Sequence, residues 1–315
     1  MAPEIAVVVP TRGRETRLAF LLDALAAQTL ARDRFETIVV RDGNPPGPHT
    51  EPADGLAVRF AAQVEPRGPA AARNVGWRLA TAPLVAFTDD DCRPSPDWLA
   101  ELVRAADGSG TVVQGRTEPD PDERHLLGGL ARSQLVDRAS DASQTCNIAY
   151  PRELLERLGG FDERYAFPAA EDTDLGLRAS ASGAERVFAP EALVWHAVIP
   201  RHLPVALRET LRWKDVPSLF ARHPDYRRTL HYGWFWKEAH AKLALAAAGV
   251  ALARRRRRAA LALAAPYLEQ HLRQYDRTPR GLARAALDLP SRVALDAAEM
   301  VAVAAGAVRH RVPML

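Results

Sequence analysis

Cysteine is scarce: Cys92 and Cys146 are the only two in 315 residues. Their spacing offers neither a disulfide framework nor a thiolate zinc site, which fits a reducing, cytoplasmic compartment. A glycine-rich dinucleotide loop is also lacking, since no G-x-G-x-x-G follows a strand-like run, and this excludes a Rossmann dehydrogenase. No apolar run approaches the ~20 residues that a membrane-spanning helix needs. The amino terminus, MAPEIAVVVPTRGRETR, carries arginines after a short apolar stretch rather than before a long one. It reads as a first β-strand and not as a signal peptide.

The net charge of +3 hides an asymmetry. Up to Pro200 there are 21 basic and 30 acidic residues, and beyond it 21 and 9, so the two parts carry −9 and +12. This predicts two domains, 1–200 and 201–315, the first acidic and chemical, the second basic and drawn to anionic surfaces. Short β-rich runs at Ile5 to Val9, Thr37 to Val40 and Leu84 to Phe87 read as buried strands. Helix-like stretches lie between them at Thr16 to Thr29, with Leu18, Leu21, Leu22 and Leu25 on one face, and at Pro69 to Thr81. The alternation predicts an α/β fold with a mainly parallel central sheet and ligands at the carboxyl ends of its strands. A polar loop around Glu118 to Arg124 reads as a mobile cover, a helix follows near Pro151 to Leu158, and beyond Pro200 helices are separated by prolines.

The third apolar run leads directly into Asp89, Asp90 and Asp91. In an extended segment Asp89 and Asp91 share a side while Asp90 faces elsewhere. Two hard oxygen ligands so placed suit Mg²⁺ or Mn²⁺ on a diphosphate, and a cation would relieve the repulsion of adjacent carboxylates. The competing reading is a solvated acidic turn that caps a helix at Pro94 to Arg104.

The acidic run and the segments around it, in order along the first 200 residues, give this chain a resemblance to family 2 glycosyltransferases of the GT-A fold. VVVPTRGR at Val7 to Arg14 resembles the opening strand and nucleotide-binding turn, and VVRDGN at Val39 to Asn44 the second strand end. AARNVGW at Ala71 to Trp77 resembles the helix after the base pocket, and FTDDDCRP the metal-binding DxD motif. GGFDERY and EDTDLGLR, Gly159 to Tyr165 and Glu171 to Arg178, resemble the acceptor-side region that holds the catalytic base.

The resemblance implies a GT-A nucleotide-binding domain followed by a helical region, and inverting transfer of a sugar from a nucleotide-diphosphate sugar to a hydroxyl of a lipid-linked or glycan acceptor. It makes Asp172 the base, with Glu171 on the acceptor side. Asp89, Asp91 and His196 hold Mn²⁺ or Mg²⁺, and Pro10, Thr11, Arg12, Asp42, Arg73, Asn74 and Asp90 bind the nucleotide sugar. Each has a structural alternative: a first-turn position for Asp172, a core histidine for His196, helix bracing for Arg73 and Asn74. For Asp174 the pairing with Arg178 one turn on is the preferred reading. One departure stands out: Arg41 replaces an aspartate that the family commonly sets beside the nucleobase, which leaves the base unassigned.

His231 to Lys242, HYGWFWKEAHAK, mixes aromatics with lysines as membrane interfaces do. With Leu243 to Ala253, Arg254 to Arg258 and Ala259 to Ala265 it suggests a helical hairpin lying on the anionic inner face of the plasma membrane. The alternative is Ala-rich helices packed on protein. Nucleic acid is not expected, because five consecutive arginines point all round a helix. Two rival functions stay open: an inactive membrane-attached scaffold with a transferase fold, and a sugar-1-phosphate nucleotidyltransferase, which lacks here its glycine-rich, lysine-bearing loop.

Overall fold

The computed structural model describes residues 2–43, 50, 55–107, 110–165, 167–253 and 256–315. They form two compact units, residues 1–125 with 133–198, and residues 126–132 with 199–315. The segment Leu126–Arg132, expected in the first domain, is part of the second unit.

The first unit contains β1 (Ile5–Thr11), α1 (Glu15–Ala26), β2 (Phe35–Arg41), β3 (Val58–Ala62), α2 (Pro69–Leu79), β4 (Leu84–Phe87), β5 (Cys92–Pro94) and α3 (Trp98–Ala106). It continues with β6 (Val112–Pro119), β7 (Ile148–Pro151), α4 (Arg152–Leu158), α5 (Glu171–Ala181) and β8 (Arg186–His196). The eight strands form one sheet in the order β3-β2-β1-β4-β7-β6-β8-β5. Four pairings are parallel and three antiparallel, the latter all involving β7 or β5.

The apolar run of β1 shows no alternation because both of its faces are covered. Ile5, Val7 and Val9 join the leucines of α1 and α3, whereas Ala6 and Val8 join α2, α4 and α5 on the opposite face. Gly76 of α2 lies so close to β1 that a Cβ there would collide with the Val8 side chain. That approach holds the polar face of α2 against the carboxyl ends of the strands.

Two sequence expectations fail here for local reasons. The segment Asp89–Asp91 is not extended: Cys92 N–H donates to the Asp89 carbonyl at 3.1 Å, closing a turn between β4 and β5. Strand alternation therefore does not apply to the three aspartates, and with β5 intervening they do not cap α3, which begins at Trp98. The polar stretch at 118–124 is also tied down rather than a loose cover. It finishes β6 and enters a 3₁₀ turn, Pro121–Leu126, whose Glu123 accepts from Arg17 and from the Val198 N–H.

The second unit is helical: α6 (Leu203–Glu209), α7 (Val216–Arg222), α8 (Glu238–Leu252), α9 (Arg257–Leu272) and α10 (Pro279–His310). Prolines do not always separate its helices, since Pro266 lies inside α9 and Pro290 inside α10, where each removes one backbone donor. No described helix is long and apolar enough to cross a membrane. Only part of segment 231–242 is exposed. Tyr232 and Trp234 are 75% and 56% exposed, but Trp236 packs on Trp213 and Lys237 pairs with Glu299 at 2.7 Å. His240 is fully buried against the same glutamate. A carboxylate from α10 thus draws this lysine inward. Arg254 and Arg255 lie outside the described residues, as does Asn44.

Candidate active site

With β2 on one side of β1 and β4 on the other, the chain reverses direction across the sheet beside β1. Ligands of open α/β sheets collect at such a switch point. Here the carboxyl end of β1 supplies Thr11 to Arg14 and that of β4 supplies Asp89 to Asp91. The Thr11 hydroxyl donates to Asp90 at 2.7 Å, and Arg14 pairs with Asp90 at 3.0 Å and also with Asp91. Asp90 is 4% exposed, so it faces inward onto Thr11 and Arg14. Burial, opposed by the Arg14 charge, pushes its carboxyl up to about 7.

Arg73, on α2 and 3% exposed, joins two further carboxylates: its guanidinium reaches Asp89 at 2.7 Å and Glu171 at 3.0 Å. Burial disfavours the Asp89 anion, but the Arg73 charge outweighs this and holds the carboxyl below its ordinary range. For Glu171 burial wins over the same arginine, and the carboxyl is raised. Asp172 follows in the first turn of α5 and accepts from the Thr173 N–H at 2.7 Å. Burial first, then the neighbouring Glu171 charge, push it up to about 8. The residue before the helix, Ala170, has φ 74°, a left-handed conformation costly for a side chain with a Cβ. That strain sits where the chain turns Glu171 and Asp172 towards the site.

His196 ends β8, where its strand partner is Cys92. Its Nδ1 meets the Ala197 carbonyl oxygen at 2.8 Å and can only donate there, so a neutral ring carries its lone pair on Nε2. That Nε2 lies 3.5 Å from Oδ1 of Asp91. Two acceptors facing each other, within a cluster where five carboxylates outnumber Arg14 and Arg73, fit a divalent cation. Cys92 lies within the same group, its donor atom within 4.8 Å of the others. Burial lifts its thiol well above the ordinary range, and sulfur is a poor partner for a hard cation.

The remaining expected residues divide. Pro10 is half-buried at the end of β1 and Arg12 is exposed just beyond it. Asp42 turns to the N–H groups of Arg67 and Gly68, at 2.7 and 3.1 Å, which lead into α2. Asn74 is a correction: its amide donates to the Phe161 carbonyl and to Glu163 and accepts from Phe161 N–H and from Trp77. It braces the Gly160–Phe161 turn, with no donor left over for a nucleotide. Asp174 pairs with Arg178 at 2.8 Å, as its spacing suggests. Arg14 was not singled out from the sequence, although its place in T-R-G-R, opening α1 directly above the acidic turn, is the signal that could have found it.

Residues 6–156 match the description Glycosyl transferase family 2, and residues 84–268, more than half of the chain, match Glycosyl transferase family group 2. Validoxylamine A glucosyltransferase of Streptomyces hygroscopicus subsp. limoneus is 30% identical over 221 residues, covering 58% of this chain and 49% of that protein. Glycosyltransferase AglE of Haloferax volcanii is 25% identical over 215 residues, covering 63% and 68%. The chain spans about half the length of the first of these relatives. Among solved structures, the fold is similar to that of mannosyltransferase PcManGT from Pyrobaculum calidifontis in complex with GDP-Man and Mn²⁺, with a TM-score of 0.56 and 23% identity over 99% of this chain and 88% of that one. It is also similar to S. aureus TarS 1-349 in complex with UDP, with a TM-score of 0.52 and 18% identity over 98% and 92%. An eight-stranded mixed sheet with its acidic turn at the switch point, together with these matches, makes the chain a member of the family 2 glycosyltransferases, with the GT-A fold.

Proposed function

We propose that this protein transfers a sugar, with inversion at the anomeric carbon, from a nucleotide-diphosphate sugar to a hydroxyl of a lipid-linked or glycan acceptor. The observation that carries the reading is the pairing of the Asp89–Asp91 turn and His196 with a second carboxylate pair, Glu171 and Asp172, joined through Arg73. Five carboxylates gathered against two arginines, three of them with raised carboxyls, favour a working site over a scaffold without activity.

Pro10, Thr11, Arg12 and Asp42 line the nucleotide side, with Arg73 held on Asp89. Asp91 and His196, with Asp89 alongside, would hold Mn²⁺ or Mg²⁺, whose chemistry is to neutralise the departing diphosphate. Arg14 neutralises Asp90 and Asp91 and sits where an anionic donor enters. Asp172 takes the proton from the acceptor hydroxyl. A base with a carboxyl near 8 is mostly protonated at neutral pH but is stronger once ionised than an ordinary aspartate. Glu171, fixed by Arg73, orients the acceptor and keeps Asp172's proton affinity high.

The second unit is proposed to rest on an anionic membrane surface at the cytoplasmic side, led by Tyr232 and Trp234, which are exposed although aromatic. The test of the whole reading is turnover: purified protein with Mn²⁺ should hydrolyse or transfer from at least one member of a UDP-, GDP- and dTDP-sugar panel, releasing nucleoside diphosphate. Failure of every donor to bind or react would refute it.

A further inference from the structure

A cavity of about 520 Å³ opens in the first unit beside the catalytic turn, touching Asp91 but otherwise built from residues that the proposed reaction does not use. One wall is the outer face of α1, where Phe20 is followed by the small side chains of Ala24 and Ala27. The other is β5 with Trp195 of β8, and the 3₁₀ turn at Asp120 to Glu123 closes one end. The volume is that of a small-molecule site.

Two features give the class of ligand. The first is aromatic: Phe20 is 52% exposed although the leucines of the same helix are fully buried, so its ring forms a platform and not part of the core. The second is charge. Among the described lining residues, the carboxylates Asp23, Asp120, Asp122 and Glu123 are balanced by two cations, Arg17 and Arg93, an excess of two negative charges before Asp91 is counted. Both arginines are already engaged, Arg93 bidentately on Asp120 at 2.9 and 2.7 Å and over the Trp195 ring, Arg17 on Glu123. Asp23 is exposed at the rim of the cavity. An apolar ring face rimmed by carboxylates matches a pyranose-like ring with hydroxyls at its edge, and the surplus negative charge matches an amine on it.

We propose that this cavity binds a polyhydroxylated ring bearing an amine, an amino sugar or similar ligand, as a subsite distinct from the donor pocket and in contact with it through Asp91.

Isothermal titration of the full chain with glucosamine, glucose and glucuronate, in low salt, tests the class. Glucosamine is expected to bind about tenfold more tightly than glucose, with glucuronate weaker still. Phe20→Ala and Asp23→Asn, both at exposed positions, should each weaken glucosamine roughly fivefold or more with no change in melting temperature. Equal affinity for the three sugars, no saturable binding of any, or variants that bind like the parent would overturn the proposal. The measurement needs no donor turnover, so it stands or falls apart from the transferase reading.

Discussion

His196 Nε2 faces Asp91 Oδ1 at 3.5 Å, with both residues nearly inaccessible to solvent. Neither is committed to the other by a proton when the imidazole is neutral, because Nδ1 already holds the donor role at Ala197. The pair is therefore an arrangement that a divalent cation, as proposed above, would complete.

From that relationship, Asp91→Ala and His196→Ala should each lower Mn²⁺-dependent affinity for a nucleoside diphosphate by roughly 10- to 100-fold while the fold survives. Calorimetric titration with UDP and GDP, with and without Mn²⁺, reads this directly. Affinity unchanged in both variants would remove these residues from the metal site.

Asp172 gives a prediction with a sign in pH. With its carboxyl near 8, Asp172 as the proposed base would be protonated and inactive at lower pH, so kcat/KM should rise about tenfold per unit up to about pH 8 and then level. Asp172→Asn should lose about 10²- to 10⁴-fold in turnover with donor affinity little changed, and should lose that limb of the profile. If Glu171→Gln abolishes turnover while Asp172→Asn does not, the base lies one residue earlier.

The same shift bears on stability. A carboxyl raised on folding stabilises the folded state fully below its unfolded value of 3.8, and that contribution fades as pH rises through about 8. The variant Asp172→Asn, free of this titration, should therefore gain in melting temperature over the parent between pH 5 and pH 8.5. A gain that stays constant over that range would contradict the assigned shift.

Asp174 should behave as structure. It holds Arg178, whose other donors reach the Leu158 and Gly160 carbonyls, so the pair ties α5 to the turn after α4. Asp174→Asn is expected to cost about 1–3 kcal/mol, towards the low end because Arg178 is partly solvated. Thermal or urea unfolding measures it, and donor affinity should move little.

How far the sequence shows this arrangement varies with the range over which each feature is determined. The β1 and β4 runs and the leucine stripe of α1 are local patterns, and the structure contains them. The geometry of the acidic turn is not legible in the sequence, because three adjacent aspartates look alike whether extended or turned. The Cys92–Asp89 hydrogen bond, together with the pairing of β5 with β8, decides which. Arg73 as a bridge between Asp89 and Glu171 spans 98 residues of sequence and is invisible to any periodicity. Likewise Lys237 reads as interfacial until Glu299, 62 residues away, is placed beside it.

That last correction sharpens the membrane prediction. With Lys237 and Trp236 half-buried and paired within the unit, the proposed surface attachment would rest on the residues that remain outside: Tyr232 and Trp234, with the exposed arginines Arg256, Arg257 and Arg258 of the basic run. Anionic vesicles should recover the full chain in a flotation assay, neutral vesicles should recover less, and added salt should weaken binding as charge is screened. Replacing Tyr232 and Trp234 together by serine should reduce recovery severalfold without lowering the melting temperature, since both side chains are more than half exposed. Replacing Lys237 by alanine should do the reverse, lowering stability through loss of the Glu299 pair while leaving flotation nearly unchanged. Equal recovery on neutral and anionic vesicles, unaffected by the double serine variant, would instead assign these helices to packing within the protein alone.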